Sequence, residues 1–140
     1  MRRGSLGTAG SAQLQTACRG VRGATTVDQA VDPKQMEAVV GKLLEAMSSP
    51  NSVVPEDVAA LVFTLQDDLG PINPAAAARS LGYSNVPLLM VREHGGDTRV
   101  GRCLRALMLV NTTLSQAQVR HAYLGGAAAL RPDLAAGERL

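Results

Sequence analysis

The sequence predicts an α+β domain in which a mixed β-sheet packs against one long helix and one short helix. Several apolar runs have the length of strands. They are interrupted by one long segment whose apolar residues recur at helical spacing and by one short alanine-rich segment. The resulting order is β-α-β-α-β-β-β, which is typical of α+β proteins. A chain of 140 residues has the size of a single domain.

Composition argues against two classes of partner. The net charge is only +2, the arginines are dispersed, and aromatic residues make up 2% of the chain. Proteins that bind nucleic acid usually concentrate basic residues and stacking aromatic side chains. No apolar run is long enough to span a bilayer. We therefore predict neither a nucleic-acid partner nor a membrane partner.

The two cysteines give a prediction of compartment. Cys18 and Cys103 form no C-x-x-C pair, and both abut apolar, strand-like sequence. This pattern predicts buried, reduced thiols in a cytoplasmic protein.

Composition also sets the expected limits of the domain. Residues 1–17 are rich in Gly, Ser and Ala and show no apolar period, which predicts a disordered N-terminal extension. A transit peptide, an overlong start and a cloning scar would all give this acid-free, Arg- and Ser-containing composition. The folded domain is expected to span residues 18–134, and residues 135–140 to form a flexible tail.

The first strand and the long helix are predicted from local signals. Residues 18–27 have strand character, and Arg22 shares a face there with small neighbours that leave room for a long side chain. Asp32 and Pro33 suit the N-cap and the first position of a helix, which Pro50 ends. The apolar face of this helix comprises Met36, Val39, Val40, Leu43, Leu44 and Met47.

The middle of the chain predicts a second strand at residues 58–65, a loop at 67–71 and a short helix at 75–79. Asp67 and Asp68 are adjacent in the loop, but no third ligand follows at a suitable spacing. A solvated turn or an N-cap is therefore favoured over a metal site.

The second half of the chain predicts three more strands. Residues 86–91 predict a buried strand that ends in Arg92-Glu93, and residues 103–110 form a second, almost wholly apolar run. Such runs favour a sheet that is covered on both faces. A short final strand is predicted at residues 121–124.

Arg105 lies inside the apolar run at 103–110. An arginine keeps its proton in proteins, and burial of an unpaired charge is costly. Arg105 therefore needs an anion, which could be Glu93, an acidic ligand, or both.

The chemistry that remains does not involve a nucleophile or a metal. The sequence has no P-loop, no H-E-x-x-H motif and no dinucleotide fingerprint, and His94 and His121 have no obvious nucleophile beside them. Forked guanidinium groups bind carboxylates, and a nearby carboxylate can hold a hydroxyl group. A site of this kind could only bind a small polyanion, or it could catalyse a reaction that needs electrostatics and shape. The residues that suit it are Arg22, Arg79, Arg105, Arg131, Glu93 and Tyr123.

The same residues carry a resemblance to the AroH-class chorismate mutases, which extends from residue 18 to residue 134. The matching segments are 19–27 (RGVRGATTV), 55–57 (PED), 74–79 (PAAAAR), Val86-Pro87 with Glu93, 103–105 (CLR), 120–124 (RHAYL) and 130–134 (LRPDL). The resemblance implies a homotrimer in which packed sheets form a pseudo-α/β-barrel, with active sites in the clefts between subunits. It also implies conversion of chorismate to prephenate, a Claisen-type rearrangement that uses no cofactor and no metal.

The resemblance also implies roles for individual residues. Arg105 would face the ether oxygen as its bond breaks, and Glu93 would hold the ring hydroxyl group. Arg22 and Tyr123 would contact the enolpyruvyl carboxylate. Further contacts with the substrate would come from Arg79 and Arg131 at the cleft mouth and from Asn73, Ala75, Met90 and Leu130.

The sequence departs from the family pattern at a few positions. Asn73 stands where the family commonly has Phe, Gln66-Asp67 replaces Thr-Pro, and Met90 stands where Cys is frequent. None of these changes removes a charged participant, so they bear on substrate affinity more than on the reaction. A non-catalytic binder of aromatic-pathway acids and an imine deaminase of similar trimeric fold remain the alternatives.

Overall fold

The computed structural model of the chain describes residues 15–28, 31–94 and 100–130. It confirms the predicted order of elements and the mixed sheet with one long and one short helix. The strands and α-helices are β1 (Ala17–Thr26), α1 (Pro33–Ser48), β2 (Val58–Leu65), α2 (Pro74–Ala78), β3 (Leu88–Arg92), β4 (Cys103–Thr112) and β5 (Ala122–Leu124). The predictions for the N-terminal extension up to residue 14 and for residues 131–140 lie outside the described residues.

Helix α1 forms where the sequence predicts it because its first turn is capped on both sides. The Asp32 carboxylate accepts a hydrogen bond from the Gln35 backbone N–H, and the Gln35 side chain accepts one from the Asp32 N–H. The apolar face of α1 then packs on the sheet. The approach is close at Gly23 of β1, where a Cβ atom would collide with the side chains of Met47 and Leu43.

The sheet has the strand order β3-β2-β4-β1-β5, so β4 lies at its centre. Strand β4 runs antiparallel to both β1 and β2, while β3 pairs in parallel with β2 and β5 pairs in parallel with β1. Side chains along β4 alternate between two faces. Leu104, Met108 and Val110 point to the helix side and are fully buried in the main core.

We call the opposite side of the sheet the open face. Two predictions were wrong: that β3 is buried, and that both faces of the sheet are covered. Strand β3 is an edge strand rather than a buried one: Leu89 is 64% exposed and Val91 is 43% exposed. Leu107 of β4 is 40% exposed on the open face, so the single chain covers only one face of its sheet completely. An apolar run cannot distinguish burial by the chain's own helices from burial by something else.

Cys18 is a further correction, because it is exposed near the start of β1, whereas Cys103 is buried as predicted. Separately, neither α-helix in the described part of the chain has the length and apolar character required to cross a membrane.

Candidate active site

The candidate site is organised by one row of residues that crosses all the strands on the open face. The strand register aligns Val91, Thr64, Arg105, Ala24 and Tyr123 as successive partners from β3 to β5. Directly paired residues project to the same side of a sheet. The row therefore brings Arg105 and Tyr123 to one face, with only the small side chain of Ala24 between them.

Arg105, at the centre of this row, forms an ion pair with Glu93, which directly follows β3. The Arg105 Nε atom lies 3.1 Å from Glu93 Oε2, and the two side chains are only 24% and 15% exposed. The Thr64 hydroxyl donates a hydrogen bond of 2.7 Å to the same Glu93 oxygen. The acidic neighbour expected for Arg105 is therefore in contact with it.

The ion pair does not fully satisfy Arg105. Its Nε–H group is buried and, among the residues that the structure describes, no acceptor is aligned to form a hydrogen bond with it. A buried donor without an aligned acceptor is costly to maintain for stability alone. This donor is suited to an oxygen atom of a bound ligand.

Cys103 lies two residues before Arg105 on the same face, and burial raises the pKa of its thiol. The Arg105 guanidinium opposes this shift through its charge and a hydrogen bond, but burial has the larger effect. The thiol therefore stays protonated near neutral pH. A neutral thiol is a weak nucleophile, so the site does not offer a thiolate for covalent chemistry.

Arg22 and Tyr123 form the other part of the site. The Arg22 guanidinium carbon lies 5.9 Å from the centre of the Tyr123 ring, which is within range of a cation–π interaction. The Arg22 backbone N–H also donates to His121 Nδ1 at 2.9 Å, so His121 ties β1 to the segment that leads into β5. The structure therefore brings the predicted Arg22–Tyr123 pair together.

The predicted contacts from α2 lie elsewhere in the single chain. Asn73 is exposed and caps α2 by accepting a hydrogen bond of 2.9 Å from the Ala76 N–H, Ala75 is buried, and Arg79 is exposed just after the helix. Helix α2 packs beside α1, on the side of the sheet opposite to Arg105. One chain therefore does not bring these residues to its own Arg105.

The remaining predicted contacts are not joined to Arg105 either. Met90 pairs with the core residue Phe63 in the register, so it projects to the helix side of the sheet and not to the open face, and it is 42% exposed. Leu130 ends the last 3₁₀ turn, Gly125–Leu130. The side chain of Leu130 and the whole of Arg131 lie outside the described residues, so these two contacts stay predictions.

Sequence reasoning missed Thr64 and His121 as members of the site. Thr64 is the only hydroxyl-bearing residue in the apolar run of β2, and that pattern alone does not indicate a contact with Glu93. His121 sits beside Tyr123 in the RHAYL segment, but its bond to β1 depends on the pairing of two strands that are distant in sequence. Both contacts can be recognised only once the strand register is known.

Comparisons with known proteins agree with this geometry. The family model for type I chorismate mutase matches residues 18–134. The chorismate mutases AroH of Thermus thermophilus and Bacillus subtilis are 42% and 37% identical to the chain over 117 residues, which are 83% of this chain and 95% and 91% of those proteins. A chorismate mutase structure from Clostridium thermocellum superposes with a TM-score of 0.73 at 33% identity, covering 79% of this chain and 97% of that one.

These similarities define the class of protein to which the fold and the site correspond. The chain belongs to the type I chorismate mutase family.

Proposed function

We propose that the protein is an isomerase that converts chorismate to prephenate in the biosynthesis of phenylalanine and tyrosine. The observation that carries this proposal is the buried Arg105 Nε–H, which lies beside Glu93 and has no aligned acceptor in the described part of the chain. Family membership and the names of the relatives support the same substrate.

The rearrangement suits a site without a nucleophile. The ether C–O bond breaks and a C–C bond forms within one molecule, so no proton, electron or group has to be exchanged with the protein. Negative charge builds on the ether oxygen at the transition state. A fixed cation aimed at that oxygen in a water-poor site stabilises the transition state more than the substrate.

The other residues of the site would bind and orient the substrate. Glu93 would accept a hydrogen bond from the ring hydroxyl group, and Arg22 beside Tyr123 would contact the enolpyruvyl carboxylate. Holding the folded, reactive conformer removes much of the entropic part of the barrier. No metal or cofactor has a role in this scheme.

We further propose that the working form is a homotrimer with active sites between subunits. The exposed apolar side chains of the open face, Leu89, Val91 and Leu107, support the burial of this face by another copy. The position of α2 also supports it, because Asn73, Ala75 and Arg79 could reach an Arg105 only in another subunit. We place this trimer in the cytoplasm, where the free thiols of Cys18 and Cys103 would stay reduced.

Incubation of the purified protein with chorismate tests the proposed function. Chorismate should disappear and an equal amount of prephenate should form, and EDTA should not change the rate. Binding of chorismate without turnover would identify the non-catalytic binder, the alternative that the polar Asn73 leaves open. The family match already favours the mutase over an imine deaminase.

A further inference from the structure

Thr64 contacts Glu93 but has no role in the proposed mechanism. Its hydroxyl group donates to Glu93 Oε2 at 2.7 Å, and Arg105 Nε meets the same oxygen at 3.1 Å. Thr64 is also the direct strand partner of Arg105. One oxygen of the Glu93 carboxylate thus receives both contacts.

The backbone of Glu93 is fixed as well. Its N–H donates to the Leu65 carbonyl oxygen at 2.9 Å, which extends the pairing of β2 and β3 by one residue. Glu93 is therefore tied to β2 by its backbone through Leu65 and by its side chain through Thr64. With the backbone held, the hydrogen bond from the Thr64 hydroxyl group restrains how the carboxylate is turned.

The orientation of the carboxylate matters because arginine and carboxylate groups tend to pair through two parallel hydrogen bonds. Such a pairing would occupy both Glu93 oxygens and two donors of Arg105. Here the Thr64 hydroxyl occupies part of the hydrogen-bonding capacity of Oε2, and the Arg105 Nε atom lies 3.1 Å from that same oxygen. A carboxylate that is held through Oε2 can present its second oxygen, Oε1, to a ligand.

We infer that Thr64 is a positioning residue that turns Glu93 so that Oε1 faces the substrate hydroxyl group and Arg105 stays available to the ether oxygen. The inference rests on the proposed function, and it makes Thr64 a determinant of specificity for substrates that carry the ring hydroxyl group. Without the Thr64 hydroxyl, Glu93 could close onto Arg105 and both roles would suffer.

The test compares two substitutions of Thr64. Thr64→Val keeps the shape and the strand preference of the residue but removes the donor, whereas Thr64→Ser keeps the donor. For T64V we expect kcat/KM on chorismate to fall by about tenfold to a hundredfold, the range for one hydrogen bond to a charged group. T64S should stay within about threefold of the wild type, because a serine hydroxyl group can make the same bond.

A chorismate analogue that lacks the ring hydroxyl group separates positioning from structure. The part of the T64V loss that depends on the substrate hydroxyl should disappear with this analogue, so the wild type and T64V should differ much less on it than on chorismate. Thr25→Val is the matched control, since the Thr25 hydroxyl donates to a neighbouring backbone oxygen and its strand partner is Leu104 on the helix side. T25V should not discriminate between the two substrates.

The melting temperature of each variant checks that it is folded, and light scattering checks that it has the same oligomeric state as the wild type. If T64V does not fold, Thr64→Ala takes its place with the same expectation. The inference is overturned if the donor-free variant matches the wild type on chorismate, if T64S loses as much as T64V, or if the loss is equal on both substrates. A wild-type protein that does not turn over chorismate would instead refute the proposed function itself.

Discussion

The two faces of strand β4 differ in how far the chain's own residues bury them. On the helix side, Leu104, Met108 and Val110 are fully buried by the chain's own core. On the open face, the same strand carries the charged Arg105 and the 40%-exposed Leu107. Alternate residues of one strand therefore meet two quite different environments.

This difference separates folding from function along a single strand. The helix side supplies the hydrophobic burial that holds a single chain together. The open face contains an incompletely satisfied cation and exposed apolar side chains, neither of which stabilises an isolated chain. Substitutions on the two faces should thus affect different measurements.

The largest effect is expected on the open face, from Arg105→Gln. The change removes the charge that, in the proposed mechanism, faces the ether oxygen, and loss of one such preorganised donor costs about 3–4 kcal/mol in comparable sites. We expect kcat to fall by roughly a hundredfold to a thousandfold. KM should change much less, because Arg22 would still bind a substrate carboxylate in the proposed site.

Arg92→Gln is the control for the Arg105 substitution. Arg92 pairs with Asp67 at 3.0 Å, but both side chains are largely exposed, so this surface pair should contribute little. Steady-state kinetics and melting curves should show that R92Q resembles the wild type. A folded R105Q protein with normal kcat would mean that Arg105 is only a buried counter-ion.

On the helix side, Leu104→Ala should act on stability instead. Leu104 is fully buried between α1 and the sheet, and truncation of a buried leucine costs about 2–5 kcal/mol. Urea unfolding should show a lower midpoint, while kcat per folded molecule stays close to that of the wild type. A large loss of kcat with unchanged stability would contradict the proposal that helix-side residues serve stability and open-face residues serve activity.

A smaller effect is expected from Leu107→Glu, which tests what covers the open face. In the trimer Leu107 would become buried, and burial of a leucine side chain contributes about 2 kcal/mol. Light scattering should show species smaller than the trimer. An assay of chorismate turnover should show a loss of activity, because each proposed site needs two subunits. Val54→Glu changes a residue that is 55% exposed and lies outside the sheet, so it should leave the trimer intact. A stable L107E trimer would contradict the proposed interface.

The contrast between the faces also explains which predictions from the sequence held. Helix α1 was predictable because its signals are local: the Asp32 cap, Pro33 and the spacing of the apolar residues. The Arg105–Glu93 contact was one of the possibilities that the sequence left open, because a buried arginine needs an anion and Glu93 is an acidic residue before β4. Residue types indicated the need for an anion, and the structure shows that Glu93 meets it.

The errors and omissions concern longer-range information. The apolar run before Glu93 indicated burial but could not show that β3 is an edge strand. A single threonine in β2 could not indicate a bond to Glu93, which is 29 positions away. The Arg22–Tyr123 pair was placed by the family resemblance, since their contact depends on the parallel pairing of β1 with β5.

The smallest predicted effect concerns Cys103, which lies on the open face but is fully buried beneath Val100, Tyr123 and Ala127. Burial raises the pKa of its thiol above the ordinary value of 9.0. Between the ordinary pKa, which applies to the unfolded chain, and the raised pKa of the folded chain, the thiol has lost its proton in the unfolded chain and retains it in the folded chain. The free energy of unfolding should therefore be unaffected below about pH 8. Above pH 9 it should fall by at most about 1.4 kcal/mol per pH unit.

Cys103→Ala should remove this part of the alkaline slope, while Cys18→Ala should not, because Cys18 is exposed. Burial also raises the pKa of Tyr83 above 10.0, so the comparison belongs between pH 9 and pH 10, before the tyrosine contributes. Urea unfolding at several pH values measures both slopes. If C103A and the wild type lose stability in parallel, Cys103 is in contact with water. The open face would then be wet beside Arg105, and the electrostatic advantage expected of that cation would be correspondingly smaller.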